Sequence, residues 1–86
     1  MKQHVRRILQ ETACLNVAVE TLGDDDDLYA AGLSSLGTVR LMLAIEENFA
    51  VEIPGTLITH AMFVSIAALA GVIAQIVPEE SLAART

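Results

Sequence analysis

Aromatic side chains are nearly missing from this sequence: tryptophan is absent, and Tyr29, Phe49 and Phe63 are the whole complement. A core must therefore be built from Leu, Ile, Val, Met and Ala, which suits packed helices better than a sheet. Cysteine occurs once, at Cys14, so an internal disulfide is excluded, and with it any CxxC or Cys/His metal spacing. One free thiol fits a reducing cytoplasm. Basic residues are scarce, five Lys or Arg against eleven Asp or Glu, for a formal net charge of −6. Residues 1–15 hold three basic residues and one acidic one, whereas residues 16–60 hold eight acidic residues and only Arg40 as a counterweight. An acidic middle repels phosphate backbones and argues against nucleic acid as a partner. It attracts basic protein surfaces instead, mainly by steering encounters. Long apolar runs are also missing. The longest, around residues 66–77, is interrupted by Gln75 and falls short of a membrane span. Charges break up "MKQHVRRILQETACL" before it can act as a secretory signal. No membrane partner is expected.

What is present is an apolar fraction of 53% in 86 residues, enough for one domain near the small end of what folds alone. Val5, Ile8, Leu9, Thr12 and Leu15 recur at helical spacing and predict a first helix from residue 3 to about 15. His4, Arg6, Arg7 and Glu11 fall largely off that stripe. Residues 16–34, "NVAVETLGDDDDLYAAGLS", carry glycine, an acidic run and no sustained period, and predict a long loop pinned by Leu22, Leu28 and Leu33. Loops of this length in compact domains are often functional. A second helix is expected over residues 35–50, roughly 24 Å long. Its apolar residues Leu36, Val39, Met42, Leu43, Ile45 and Phe49 cover a wide arc, with Gly37, Arg40, Glu47 and Asn48 opposite. That arc exceeds one core-facing stripe, so the helix touches neighbours on two sides or leaves apolar surface for a partner.

"VEIPG" stops this helix, with Ile53 driven toward extended backbone by Pro54. Residues 56–63 have room for one short helical turn. Ser65 is positioned as an N-cap for a last helix bearing Ile66, Leu69, Ala70, Ile73, Ile76 and Val77, which Pro78 ends. The expected fold is all-α, a small three-to-four-helix bundle with a long loop between helices one and two. The domain is expected to span residues 1–77, with residues 78–86 as a flexible tail.

The adjacent serines of "YAAGLSSLGTV" stand where the loop meets the second helix. The first N–H groups of a helix lack internal partners, and together with the helix dipole they favour negative charge. Ser34 is placed to cap the helix, while Ser35, the first helical residue, can turn its hydroxyl outward. Gly32 allows the tight approach, and Leu33 and Leu36 anchor the flanks. Two serines on their own would be a cap and its neighbour. The surroundings say more. "DDDDLYAAGLSSLGTVRLMLAIEENFAVEIP", residues 24–54, resembles the acyl and peptidyl carrier protein family, in which an acidic loop leads to G-x-D-S-L at the start of the second helix, followed by EExF and an IP turn. The matching elements are Asp25 to Leu28, Gly32 to Leu36, Glu46 to Phe49 and Ile53–Pro54, and "SIAALA" at residues 65–70 is similar to the start of the family's last helix.

The resemblance implies that Ser35 receives a 4′-phosphopantetheine arm from coenzyme A through a phosphopantetheinyl transferase, and that the arm's thiol carries cargo as a thioester. The protein would then catalyse nothing itself, and its partners would be an acyl- or aminoacyl-loading ligase and a downstream acceptor enzyme. The sequence departs from the family in carrying Ser34 where Asp is usual, which keeps a cap but loses a charge. Its second helix is also less acidic than in carriers of primary fatty-acid synthesis, with Gly37 and Arg40 early and only Glu46 and Glu47 acidic. A dedicated carrier serving few enzymes is expected. Some small members of the family are charged with amino acids by ligases resembling class II aminoacyl-tRNA synthetases, and an amino acid is the leading expectation for cargo. Specialised fatty-acyl or polyketide synthesis is the alternative. A different class, a non-covalent helical adaptor without a prosthetic group, is motivated by the wide apolar arc.

Leu36, Val39 and Met42, with Arg40, Glu46 and Glu47, are the candidate docking residues, and a monomer suits so small a patch. Asp24 to Asp27 lack the spacing of a calcium loop and read as a solvated acidic stretch. Cys14 reads as a core or edge residue, His4 and His60 as surface or loop residues, and Met42 and Met62 chiefly as core filling. No enzyme is indicated: Gly-x-Ser-x-Gly is absent, and no His–Asp pair is placed for a triad.

Overall fold

The computed structural model describes residues 1–77, and the expected tail at 78–86 lies outside them. Among the described residues the chain forms three α-helices, α1 (Lys2–Thr12), α2 (Ser35–Phe49) and α3 (Ile66–Ile76), with short 3-10 turns at Val19–Thr21, Gly55–Leu57 and His60–Phe63. None of these helices is long and apolar enough to cross a membrane. α1 packs against both α2 and α3. The core gathers Val5, Ile8 and Leu9 of α1, Leu41, Ile45 and Phe49 of α2, and Ile66, Leu69 and Ile73 of α3. Each fully buried Leu or Ile contributes about 1.5–3 kcal/mol.

Two expectations about the helices need correction. α1 stops at Thr12 rather than 15, because Ala13 takes up a left-handed conformation (φ 50°) and donates back to Leu9 and Gln10. Leu15 therefore packs on the core from the loop. On α2 the core-facing line is Gly37, Leu41, Ile45 and Phe49, each four residues apart. Gly37, expected on the opposite side, is buried. A Cβ there would sit 3.0 Å from Leu33 Cδ1 and 3.5 Å from Cys14 Cβ, so the missing side chain lets the loop close onto the helix. Leu36, Val39 and Leu43 are exposed instead, at 64%, 46% and 56%. Of the two explanations for the wide arc, surface left uncovered is the one observed. Met42 is half-buried against the core, and Met62 is buried.

The long loop is ordered by residues of its own. Leu28 and Leu33 are buried, and Leu22 packs on the core. Between them lies a single capped turn: Asp27 Oδ1 accepts from Tyr29 N–H at 2.9 Å, and Ala31 N–H donates to Asp27 and Leu28 carbonyls. Gly32 N–H to Tyr29 O (3.1 Å) and Leu33 N–H to Leu28 O (3.0 Å) close it as a Schellman motif, with buried Leu28 and Leu33 supplying the apolar contact. Gly32 takes the positive φ, 106°, that this motif demands.

Asp25 to Asp27 are exposed, as expected of a solvated acidic stretch, and Asp24 in addition ties the loop to the helices. The Asp24 carboxylate accepts from Arg6 Nη2 at 2.7 Å and lies 3.6 Å from Lys2 Nζ. Its carbonyl accepts from Ala67 N–H, tying the loop to α1 and α3 at once. Asp26 accepts from Gly23 N–H. The Arg6 hydrogen bond, reinforced by charge from Lys2 and Arg6, holds the Asp24 carboxyl below the usual aspartate range against a smaller opposing push from desolvation. The end of α2 is braced by Glu46, whose Oε2 accepts from Ile53 N–H at 2.9 Å. Ser65 caps α3 as expected, accepting from Ala68 N–H at 3.1 Å.

Candidate functional site

The two serines at the start of α2 are both exposed, but only one hydroxyl is engaged in the fold. Ser34 is the N-cap: its backbone is extended (φ −94°, ψ 173°), and its Oγ accepts from Gly37 N–H at 3.1 Å. Ser35 is the first helical residue and is exposed. None of the described hydrogen bonds involves its hydroxyl. One turn on, Thr38 Oγ1 donates to the Ser35 carbonyl at 2.6 Å, and Thr38 N–H donates to the Ser34 carbonyl. The N–H groups of Ser35 and Leu36 have no intrahelical partner, and with the helix dipole they make this tip favourable to an anion.

A surface groove of ≈ 550 Å³ opens beside Ser35. It is lined by Ser35 and Thr38 of α2, by Ile58 and Thr59 between two 3-10 turns, and by Leu33 and Phe63 from the core. Tyr29 and His60 also border it, stacked with ring centroids 4.1 Å apart and planes 6° from parallel. The Tyr29 hydroxyl donates to the His60 carbonyl at 2.9 Å. Burial, helped by the Asp27 charge, raises the Tyr29 pKa, so the phenol stays protonated. On the other flank of the serines is a smaller groove of ≈ 210 Å³, bordered by Cys14, Asn16, Ser34, Leu36 and Arg40.

The candidate docking residues separate in their surroundings. Leu36, Val39, Arg40 and Glu47 are exposed, while Met42 and Glu46 are half-buried, the latter engaged at Ile53. His60 is exposed, as expected of a loop residue, but it has a companion in Tyr29. His4 is half-buried, its ring centroid 4.6 Å from that of Phe49, so it belongs to the packing of α1 on α2 rather than to the open surface. Cys14 is half-buried and accepts from Thr12 Oγ1 at 3.3 Å. No cluster of three or more His, Cys, Asp or Glu suited to a metal occurs among the described residues. Sequence reasoning missed the groove. Thr59 alone carried a local sign, since it caps His60–Phe63 by accepting from Met62 N–H, whereas the Tyr29–His60 stack joins residues 31 apart and leaves no local mark.

An exposed hydroxyl on a capped helix tip, with a groove alongside, is an attachment geometry, and comparison with known proteins bears on it directly. Residues 3–73 match the family model described as the phosphopantetheine attachment site. The chain belongs to the phosphopantetheine-attachment family. It is accordingly a carrier and not an enzyme, and its prosthetic group is 4′-phosphopantetheine. Within the family it is 46% identical, over 69 residues, to an aminoacyl carrier protein of Agrobacterium fabrum, an alignment covering 80% of this chain and 83% of that one. It also resembles the carrier protein from Agrobacterium tumefaciens crystallised with ATP and an engineered glycine:[carrier protein] ligase of Bradyrhizobium japonicum. There the TM-score is 0.81 at 43% identity, with 87% of this chain and 97% of that chain covered. A solution structure from Agrobacterium tumefaciens matches at a TM-score of 0.71 and 43% identity, covering 87% and 90% of the two chains. The site fits the group: two exposed serines of which only Ser35 has a hydroxyl in no described hydrogen bond, a tip that favours a phosphodiester, and apolar and hydroxyl-bearing walls beside it.

Proposed function

We infer that this protein is an aminoacyl carrier whose Ser35 Oγ holds the phosphodiester of 4′-phosphopantetheine, with glycine the first cargo to test. The observation that carries this is the division of labour at the helix tip. Ser34 is occupied as the cap, and Ser35 is exposed with no internal hydrogen bond. The identity to an aminoacyl carrier protein, and the likeness to a carrier crystallised with a glycine:[carrier protein] ligase, support the choice of cargo and of a ligase as loading partner. When bound, the arm supplies a thiol that carries the cargo as a thioester. The protein's own residues do the rest. The Ser35 and Leu36 N–H groups and the α2 dipole stabilise the phosphodiester charge. The cap keeps the tip rigid, and tethering holds the cargo at high effective concentration for an enzyme docked on α2. Exposed Leu36, Val39 and Leu43 are the apolar part of that dock, with Met42 at its edge and Arg40 and Glu47 as exposed charges. A phosphopantetheinyl transferase installs the arm, and an acceptor enzyme takes the cargo. We place the carrier domain at residues 1–77, a monomer in a reducing cytoplasm; the family match over residues 3–73 supports that extent.

The test is intact mass after incubation with coenzyme A and a broad-specificity transferase. Wild type and Ser34→Ala are expected to gain one phosphopantetheine, with Ser34→Ala about 1 kcal/mol less stable for loss of its cap. Ser35→Ala is expected to gain nothing. Modification that persists in Ser35→Ala, or is lost in Ser34→Ala while the fold is intact, contradicts the assignment.

A further inference from the structure

We propose that an open groove within the loop between α1 and α2 is a docking point for an arginine side chain presented by a partner protein; it stands independently of attachment at Ser35. The groove is ≈ 350 Å³, with Val17, Leu22, Ala30 and Ala31 as apolar walls and Asp26 and Asp27 at its border. It shares no residue with the groove beside Ser35 or with the exposed line of α2. Val17 is 43% exposed, an apolar side chain that the bundle leaves uncovered. The volume lies at the lower end of the range of about 300–1,000 Å³ typical of small-molecule sites, so the groove suits one long side chain rather than a folded segment.

Charge decides the occupant. Asp24 is the carboxylate of the acidic run that the protein neutralises itself, with Lys2 and Arg6. Asp26 and Asp27 are exposed and form no ion pair among the described residues. Both are nevertheless fixed in place by the backbone. Asp26 Oδ2 accepts from Gly23 N–H at 2.8 Å, and Asp27 Oδ1 accepts from Tyr29 N–H at 2.9 Å and Ala30 N–H at 3.4 Å. None of the described hydrogen bonds involves Asp26 Oδ1 or Asp27 Oδ2. Thr21, the other polar residue at the groove, already donates its hydroxyl to the Ala18 carbonyl. Two oriented carboxylates beside aliphatic walls match a side chain with an apolar stem and a cationic head. Because the turn already orders both carboxylates, binding loses little side-chain entropy. Oxygens from two separate carboxylates suit the fork of a guanidinium, which is also more weakly hydrated than an ammonium and better tolerates apolar walls. A contact on this loop, added to one on α2, would fix the rotation of the carrier against its partner.

The experiment is an amide and methyl NMR titration of the full chain with Nα-acetyl-arginine methylamide, run beside its lysine and citrulline counterparts. With the arginine probe, the expected result is saturable shifts confined to Val17, Leu22, Asp26, Asp27, Ala30 and Ala31. Lysine is expected to bind several-fold more weakly, and uncharged citrulline not at all. Asp26→Asn and Asp27→Asn each keep an oxygen to accept from the backbone, so the spectrum of the fold is expected to persist while the arginine probe binds several-fold more weakly. Val17→Ser is expected to weaken it as well, which charge attraction alone does not predict. Shifts spread equally over Asp25, Glu47 and Glu52 would mark diffuse attraction and overturn the proposal. So would citrulline or lysine binding as tightly as arginine. Shifts at the same residues that grow with protein concentration before any probe is added would seat a second copy of this chain in the groove and overturn a different protein as the occupant. The mass measurement on Ser35 reports separately on the attachment reading.

Discussion

Gly32 governs how the chain reaches Ser35. Its φ of 106° is a conformation that costs a residue with a Cβ about 1–3 kcal/mol. Space is a second barrier, because a Cβ would lie 2.4 Å from Asn16 Nδ2 and 2.6 Å from Asn16 Cγ. The side chain of Asn16 can swing away, but its backbone N–H is held by the Ala31 carbonyl at 2.9 Å. Gly32→Ala is therefore expected to lose about 2–3 kcal/mol in urea unfolding, the strain plus the cost of moving Asn16. Adding Asn16→Ala is expected to return only the contact part. A Gly32→Ala protein of wild-type stability would mean that the Schellman turn does not set the approach to α2.

Individual elements are held together by contacts between segments distant in sequence, and Asp24 is the sharpest case. Its carboxylate joins the loop to Arg6 and Lys2 of α1, and its pKa is lowered in the fold. A group whose folded pKa is depressed adds stability above its unfolded value, and that stability is lost as pH falls through the folded value. Asp24→Asn is thus expected to melt below wild type at pH 7, with the gap closing as pH drops below the ordinary aspartate range. A gap that persisted into strong acid would show that the ion pair is not its source. The same pairing marks the limit of what the sequence discloses. Local rules found α2 and α3, because each opens on a serine cap and a proline follows within a few residues of each end. They found the pinning leucines and the Ser34 cap, because turn chemistry and an apolar residue in a polar run are local signals. They did not find the Arg6–Asp24 pair or the Tyr29–His60 stack, which join residues 18 and 31 apart. They also misread α2. A helix apolar on most of its circumference gives no hydropathy contrast by which to tell core from surface, and only the four-residue ladder Gly37, Leu41, Ile45, Phe49 marks the buried line.

For the molecule as a whole, that same lack of contrast is what a carrier requires. One line of α2 is consumed by the bundle, and a second, Leu36, Val39 and Leu43, remains in solvent at 64%, 46% and 56% exposure. Scattered surface apolar residues are ordinary, but three at helical spacing, beginning one residue after Ser35, form a stripe that a docked enzyme can cover. Because these side chains contribute little to the core, a charge placed on them alters docking and leaves folding nearly untouched, within about 0.5 kcal/mol. Leu36→Asp and Leu43→Asp are each expected to weaken aminoacyl loading by a glycine:[carrier protein] ligase about tenfold or more, carried in KM, as expected for losing roughly 1.4 kcal/mol of binding. Gln75→Asp, an exposed change on α3, is expected to leave loading unchanged. Melting temperatures of all three should match wild type. If Leu36→Asp and Leu43→Asp load like wild type while Gln75→Asp does not, the loading enzyme approaches from α3, and the uncovered stripe on α2 has some other occupant.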